Sequence, residues 1–146
     1  MKRFVFHPTR WLLGLALCHA LPASAADAGL TPAERDAMVL TARTATAEHL
    51  GLQQGPVLQL EALRTQDDWA FLTARLRDAN NGQRFDYAGT DQHAAAQAGA
   101  KSDRCVALLQ RQSNGAWKVV ALAVGPTDVA WQGWAAQYRA PAELLQ

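Results

Sequence analysis

The sequence predicts an α+β domain: an N-terminal helix, a four-stranded antiparallel sheet made of two hairpins, and a Trp-rich C-terminal helix packed on that sheet. Three observations predict it. Thr31-Pro32-Ala33-Glu34 opens a helical segment with a capping signature. Four apolar runs follow in two pairs, each pair joined by turn formers, Asp67-Asp68 in the first and Asn114-Gly115 in the second. Trp131, Trp134, Ala135 and Tyr138 then recur at i, i+3, i+4 and i+7, the spacing of one helical face.

Ahead of the domain, residues 1–25 read as a secretory signal peptide. Lys2, Arg3 and Arg10 make a basic start, the apolar run from Trp11 to Cys18 follows, and Ala23-Ser24-Ala25 supplies a small-residue cleavage site. The apolar run is far shorter than the roughly 20 residues that cross a bilayer as a helix. Cleavage is expected after Ala25, which leaves residues 26–146 as a periplasmic or secreted domain with no stable membrane anchor. Leu17 precedes Cys18 where lipid attachment wants a small residue, so Cys18 reads as an ordinary apolar member of the leader. Without the leader only Cys105 remains, and the fold must hold without an intrachain disulfide. Cys105 sits in an apolar run and reads as a buried small hydrophobe.

In the first helix, the Thr31 hydroxyl and the Glu34 carboxylate can each satisfy the other's backbone N–H, and Pro32 occupies the first position, where its missing N–H costs nothing. The helix should run to about Leu50, with Gly51 as its left-handed cap. Met38, Ala42, Ala45 and His49 share one face, and small residues there let the helix lie close to a sheet. His49 also suits the negative end of the helix dipole.

Residues 57–65 read as a strand, with Leu58, Leu60 and Ala62 on one side and Gln59 and Glu61 on the other. Asp67-Asp68 turns the chain into a second strand, residues 69–77. Residues 85–102, with Tyr87, His93 and an alanine-rich piece, read as a long loop holding a short helical turn, the kind of loop that is often functional. Strands at 104–112 and 116–124 flank Asn114-Gly115, the best short hairpin signal in the chain. A two-residue loop there sets Leu109 against Val120 and Ala107 against Leu122. Both strands are apolar at nearly every position, which places them centrally in the sheet. Thr127 or Asp128 should cap the last helix, Pro141 should stop it, and residues 142–145 should add a final turn.

Hydrophobic residues make up 49% of the chain and charged residues 18%, a globular balance. Arg outnumbers Lys 11 to 3 and Ala is abundant, as in proteins of GC-rich bacteria. Losing Lys2, Arg3 and Arg10 leaves 11 basic against 13 acidic residues, a net charge of −2. A near-neutral chain carries no electrostatic footprint for nucleic acid or anionic lipid. Neither a Gly-rich phosphate loop nor a GxSxG elbow is present. His49, His93 and Cys105 are too far apart in sequence to read as a metal motif, and Asp67-Asp68 are better turn formers than calcium ligands. No catalytic residue, metal or cofactor is expected.

Trp69, Trp117, Trp131 and Trp134 remain after the leader. Each can bury about 150–250 Å², so Trp131 and Trp134 are expected to anchor the last helix on the sheet. Any part of that aromatic set left exposed would be a natural contact for a ligand or partner. Trp131, Trp134 and Tyr138, with Asp128 beside them, form the candidate binding surface.

Asp68-Trp69-Ala70-Phe71, Gly115-Ala116-Trp117-Lys118-Val119-Val120 and Gly125-Pro126-Thr127-Asp128-Val129-Ala130-Trp131 resemble a family of uncharacterised exported bacterial proteins. The order of elements is similar to small cystatin-like and NTF2-like modules, in which a helix packs against a curved antiparallel sheet. The resemblance covers most of the chain after the leader and is most specific between Trp117 and Tyr138. It implies the α+β fold and carries over no catalytic residue. NTF2-like cones normally offer a pocket, but such folds often use three helices where this chain has one long N-terminal helix.

The function expected on these grounds is that of a small exported, non-enzymatic protein that binds a protein or envelope component, with another periplasmic protein as partner. One alternative is an NTF2-like small-molecule-binding or enzymatic cone, for which Asp68, His93 and Asp128 are the polar candidates. Another is an immunity or inhibitor protein that plugs a toxin or enzyme with the 85–102 segment. A structural accessory module of an envelope assembly is the remaining reading.

Overall fold

A computed structural model describes residues 29–146; the predicted leader, with Cys18 and the cleavage site after Ala25, lies outside the described residues. Helix α1 (Pro32–His49) starts where its capping box dictates. The Glu34 N–H donates to the Thr31 hydroxyl at 3.2 Å, and the Thr31 N–H donates to the Glu34 carboxylate at 3.0 Å. Leu50 is its C-cap, followed by Gly51 at φ +66°. The buried face is Met38, Ala42 and Thr46. His49, expected on that face, is exposed. Thr46 is buried in its stead because its hydroxyl donates to the Ala42 carbonyl at 2.8 Å and so carries no unmet polar group inward.

Four antiparallel strands follow: β1 (Val57–Gln66), β2 (Trp69–Arg77), β3 (Arg104–Arg111) and β4 (Trp117–Val124), in the spatial order β1-β2-β3-β4. Asp67 takes φ +53° in the first turn, a conformation that Asp tolerates better than most residues. The strand phase expected for β1 holds only as far as Leu60. A bulge leaves Glu61 unpaired between Leu60, opposite Ala74, and Ala62, opposite Thr73, so that Leu63 takes the buried position beyond it. The second hairpin pairs Ala107 with Leu122 as expected. The register then shifts, and Leu109 meets Val119, not Val120. The central placement expected for both late strands holds for β3 alone, since β4 is at the sheet edge. Its apolar composition comes from cover on its faces, because α1 lies chiefly over β4.

The sheet has two covered faces. Leu72, Leu76, Cys105, Ala107 and Leu109 meet α1 residues such as Met38 and Ala42 in one core. Phe71, Val106, Leu108 and Ala121 meet the C-terminal segment in the other. That segment corrects an expectation. Neither Thr127 nor Asp128 caps a helix; helix α3 is only Trp134–Tyr138 and begins after Gly133, which stands at φ +90°. A left-handed residue breaks any helix running through it, so Trp131 lies before α3, and Trp131, Trp134 and Tyr138 do not form one helical stripe. After Pro141 the chain makes a 3-10 turn, Ala142–Leu145, that buries Leu144.

The 85–102 segment contains helix α2 (His93–Gln97) and is tied down at both ends. Tyr87 is buried, its hydroxyl donates to the Ser102 carbonyl at 2.7 Å, and Phe85 packs edge-on against its ring at 5.1 Å between centroids. Cys105 is fully buried, with Sγ 3.5 Å from the Thr46 hydroxyl. Burial pushes its thiol up to about 11, as expected of a packing residue and not of a nucleophile. No helix among the described residues is long and apolar enough to cross a membrane.

Candidate functional site

The four residues of the candidate surface are distributed unequally. Trp134 is 9% exposed and fills the second core between Phe71, Leu108 and Leu144. Tyr138 is half-buried at the margin of that core, its hydroxyl accepting from the Gln137 amide at 3.2 Å. Trp131 is half-buried too, tilted 54° against Phe71 at 6.1 Å. Asp128 is exposed. Only Asp128 and Trp131 come together. They line a cavity of about 390 Å³ whose floor carries Arg75, Ser102 and Arg104 and whose remaining wall is Pro126, Thr127 and Val129.

The floor is built by strand register. Arg75 on β2 pairs with Arg104 on β3, two like charges placed directly opposite, which alone would destabilise the ladder. The bulge aims Glu61 at them. One carboxylate oxygen accepts from Arg75 Nε at 2.6 Å and the other stands 3.9 Å from Arg104 Nε. Asp103, only 9% exposed, accepts from Arg75 Nη1 at 2.8 Å and from Arg77 Nη1 at 3.0 Å. Burial works against the charge of Asp103, but the hydrogen bond from Arg75 and the charges of Arg75 and Arg84 outweigh it and hold the carboxyl below the ordinary range.

A second site was not legible as one in the sequence. Between α1 and the outer side of β4 runs an open groove of about 480 Å³, lined by Leu40, Thr41, Thr44 and Glu48 from the helix and by Trp117, Lys118 and Val119 from the strand. Leu40 is 62% exposed. Among the described residues no strand pairs with the outer edge of β4. At its far end Lys101 closes the edge by donating to the Val124 carbonyl at 3.1 Å. Trp117 is steadied by Arg111, whose guanidinium carbon lies 4.8 Å from the ring centroid. The sequence signal is weak: Leu40 follows Met38 and Val39 directly, and three large apolar residues in a row cannot all lie on the buried face of one helix.

The polar residues named for a small-molecule cone do not converge. Asp68 is exposed in the β1–β2 turn. His93 lines a separate cavity of about 250 Å³ with Arg84, Asp86 and Lys101, and its buried Nδ1 has no hydrogen-bond partner among the described residues. Asp128 stands over the arginine floor. Among the described residues no three His, Cys, Asp or Glu side chains gather where they could hold a metal ion.

Comparison with protein-family models finds none that matches this chain, and comparisons with curated proteins and with solved structures find no significant match.

Proposed function

We propose that this protein is a small exported, non-enzymatic binding module that takes an extended segment of a partner protein onto β4, in the groove beneath α1. The observation that carries the reading is the character of β4. Exposed edge strands are usually protected by charges, proline or a bulge that turns them away from pairing. This one carries a bulge at Val120 and a single charged residue, Lys118, and is apolar along the rest of its length, a light protection for an edge of eight residues. Alternate residues of such an edge present main-chain donors and acceptors outward, to water in the isolated domain, and an added extended chain can pair with the row as a unit. The wall opposite, with Leu40 and Thr44, provides for the alternate side chains of an added strand, the arrangement in which backbone pairing gives affinity and pockets give selectivity. Glu48 and Lys118 line the groove with opposite charges, which suits a segment without strong net charge. Export rests on the leader pattern of residues 1–25.

Site-specific photo-crosslinking in intact cells tests both parts. A crosslinker at Leu40 or Val119 should give one discrete adduct with a second protein, and a crosslinker at Asn80, in the exposed turn after β2, should give none. The chain isolated from the envelope fraction should begin at Ala26. An adduct of two copies of this chain, or no adduct from either groove position, overturns the partner reading. A cytosolic chain that still carries residues 1–25 overturns export.

A further inference from the structure

The cavity over the arginine floor lies on the opposite face of the sheet from the α1–β4 groove, and the partner reading does not account for it. Three guanidiniums, those of Arg75, Arg77 and Arg104, face two carboxylates, Glu61 and Asp103. Within this ion-paired set one positive charge is left over, and Arg84, which lines the separate cavity beside His93, acts on Asp103 only through its charge. The leftover charge resides on Arg104, because Arg75 is held at 2.6 and 2.8 Å and Arg77 at 3.0 Å, whereas Arg104 has only the 3.9 Å approach of Glu61 among the described residues. The Arg104 side chain is 39% exposed and lines the cavity. The roof is of a different kind. Pro126, Val129 and Trp131 present apolar and aromatic surface, with Val129 54% exposed. The roof is fixed to the floor, since the Ser102 hydroxyl donates to the Pro126 carbonyl at 2.5 Å and accepts from the Arg104 N–H at 3.1 Å.

A guanidinium with spare donors beneath an aromatic and aliphatic roof matches a ligand with one anionic end and an apolar body. Arg presents a planar fork that a carboxylate meets with two hydrogen bonds. A dianion fits less well, because the floor has one unit of excess charge and Asp128 adds a negative charge at the rim. We propose that this cavity binds a small organic carboxylate, with the carboxylate on the Arg104 guanidinium and the apolar body against Val129 and Trp131. The volume of about 390 Å³ is within the range of small-ligand sites. The carboxylate could belong to a free acid or to the C-terminus of a peptide, and the chemistry that recognises it is the same.

The test is a titration of the purified protein, followed through the Trp131 indole N–H signal in NMR spectra and assigned with Trp131→Phe. The probes are 3-phenylpropanoate, its neutral amide, N-acetyl-Ala-Phe and inorganic phosphate. The expected result is a saturable shift with the first acid and affinity at least about tenfold lower for the amide. Tighter binding of N-acetyl-Ala-Phe assigns the site to peptide termini, and tighter binding of 3-phenylpropanoate assigns it to free acids. Arg104→Gln should weaken binding about tenfold or more, and Asp128→Asn should strengthen it by relieving repulsion. Val129 is exposed, so Val129→Asp leaves the fold intact and should also weaken binding, which keeps the test open if Arg104→Gln fails to fold. An amide that binds as well as the acid, phosphate that binds as well as either acid, an unsaturable shift, or unchanged affinity in Val129→Asp overturns the proposal.

Discussion

Arg75 and Arg104 stand directly opposite each other on β2 and β3, and the fold tolerates them there because a one-residue bulge delivers Glu61 between them and Asp103 binds Arg75 from the strand end. Asp103 is the more deeply placed of the two acids. Asp103→Asn should lower stability by about 1–2 kcal/mol, less than for a fully buried pair because both arginine partners remain partly solvated. The pH dependence has a definite sign. The folded-state pKa of Asp103 is depressed, so its contribution is present above the unfolded value of about 3.9 and is lost as pH falls through the folded value. Urea unfolding between about pH 2 and 6 checks this: the acid decline in stability should be shallower in Asp103→Asn than in the parent.

Trp134 is the largest side chain in the core under the C-terminal segment. Trp134→Ala should cost about 3–5 kcal/mol, the range for a buried aromatic cut back to Ala. A denaturation midpoint equal to that of the parent would show that the segment does not depend on this anchor.

Gly125 ends β4 at φ +68°, and a Cβ there would run into the Tyr87 hydroxyl, with Lys101 Cδ at 2.9 Å and the Ser102 carbonyl at 3.1 Å. Gly125→Ala should therefore destabilise the domain by about 1–3 kcal/mol, from backbone strain and crowding together. Tyr87→Phe removes the atom that the new Cβ meets first, so the double variant should be more stable than the sum of the two single effects predicts. Strict additivity in that cycle would mean that the cost comes from the backbone alone.

The elements were legible wherever a local signal fixed them. Thr31, Pro32 and Glu34 set the start of α1, and Asn114-Gly115 set the second hairpin, because caps and tight turns are decided by residues a few positions apart. What a single strand cannot reveal is where its neighbours lie. An apolar strand covered on its faces reads alike at the centre and at the edge of a sheet, so the edge position of β4 and the groove beside it did not show. The Glu61 bulge was equally hidden, since alternation continues on paper through a residue that the partner strand skips. Of the candidate surface, Asp128 and Trp131 share a cavity, but the helical spacing of Trp131, Trp134 and Tyr138 misled. Gly133 interrupts that helix, and one glycine inside a periodic pattern is a weak signal against three aromatics in register. Arg75 and Arg104 carry no joint signal in the sequence, because 28 intervening positions separate them and their meeting is a fact of β2–β3 pairing alone.

Cys105 and Tyr87 lie in the same core, and burial pushes the thiol up to about 11 and the phenol up to about 12. Both groups are neutral when buried, so their folded-state values lie above the unfolded ones. Their contribution to stability is complete below about pH 8.5, the ordinary thiol value, and declines as pH rises through that value toward the folded ones. Stability should thus fall at alkaline pH, and Cys105→Ala should remove the earlier part of the fall while Tyr87→Phe removes the later part. The same raised thiol value governs reactivity. At pH 8 a pKa near 11 leaves about one thiol in a thousand ionised, against about one in four for an unperturbed cysteine, and the thiolate is the reacting species. With Sγ shielded by Thr46, a disulfide reagent should label the native protein at least about a hundredfold more slowly than the urea-unfolded chain. Rapid labelling of the native protein at neutral pH would show that the core between α1 and β3 opens far more readily than its packing implies.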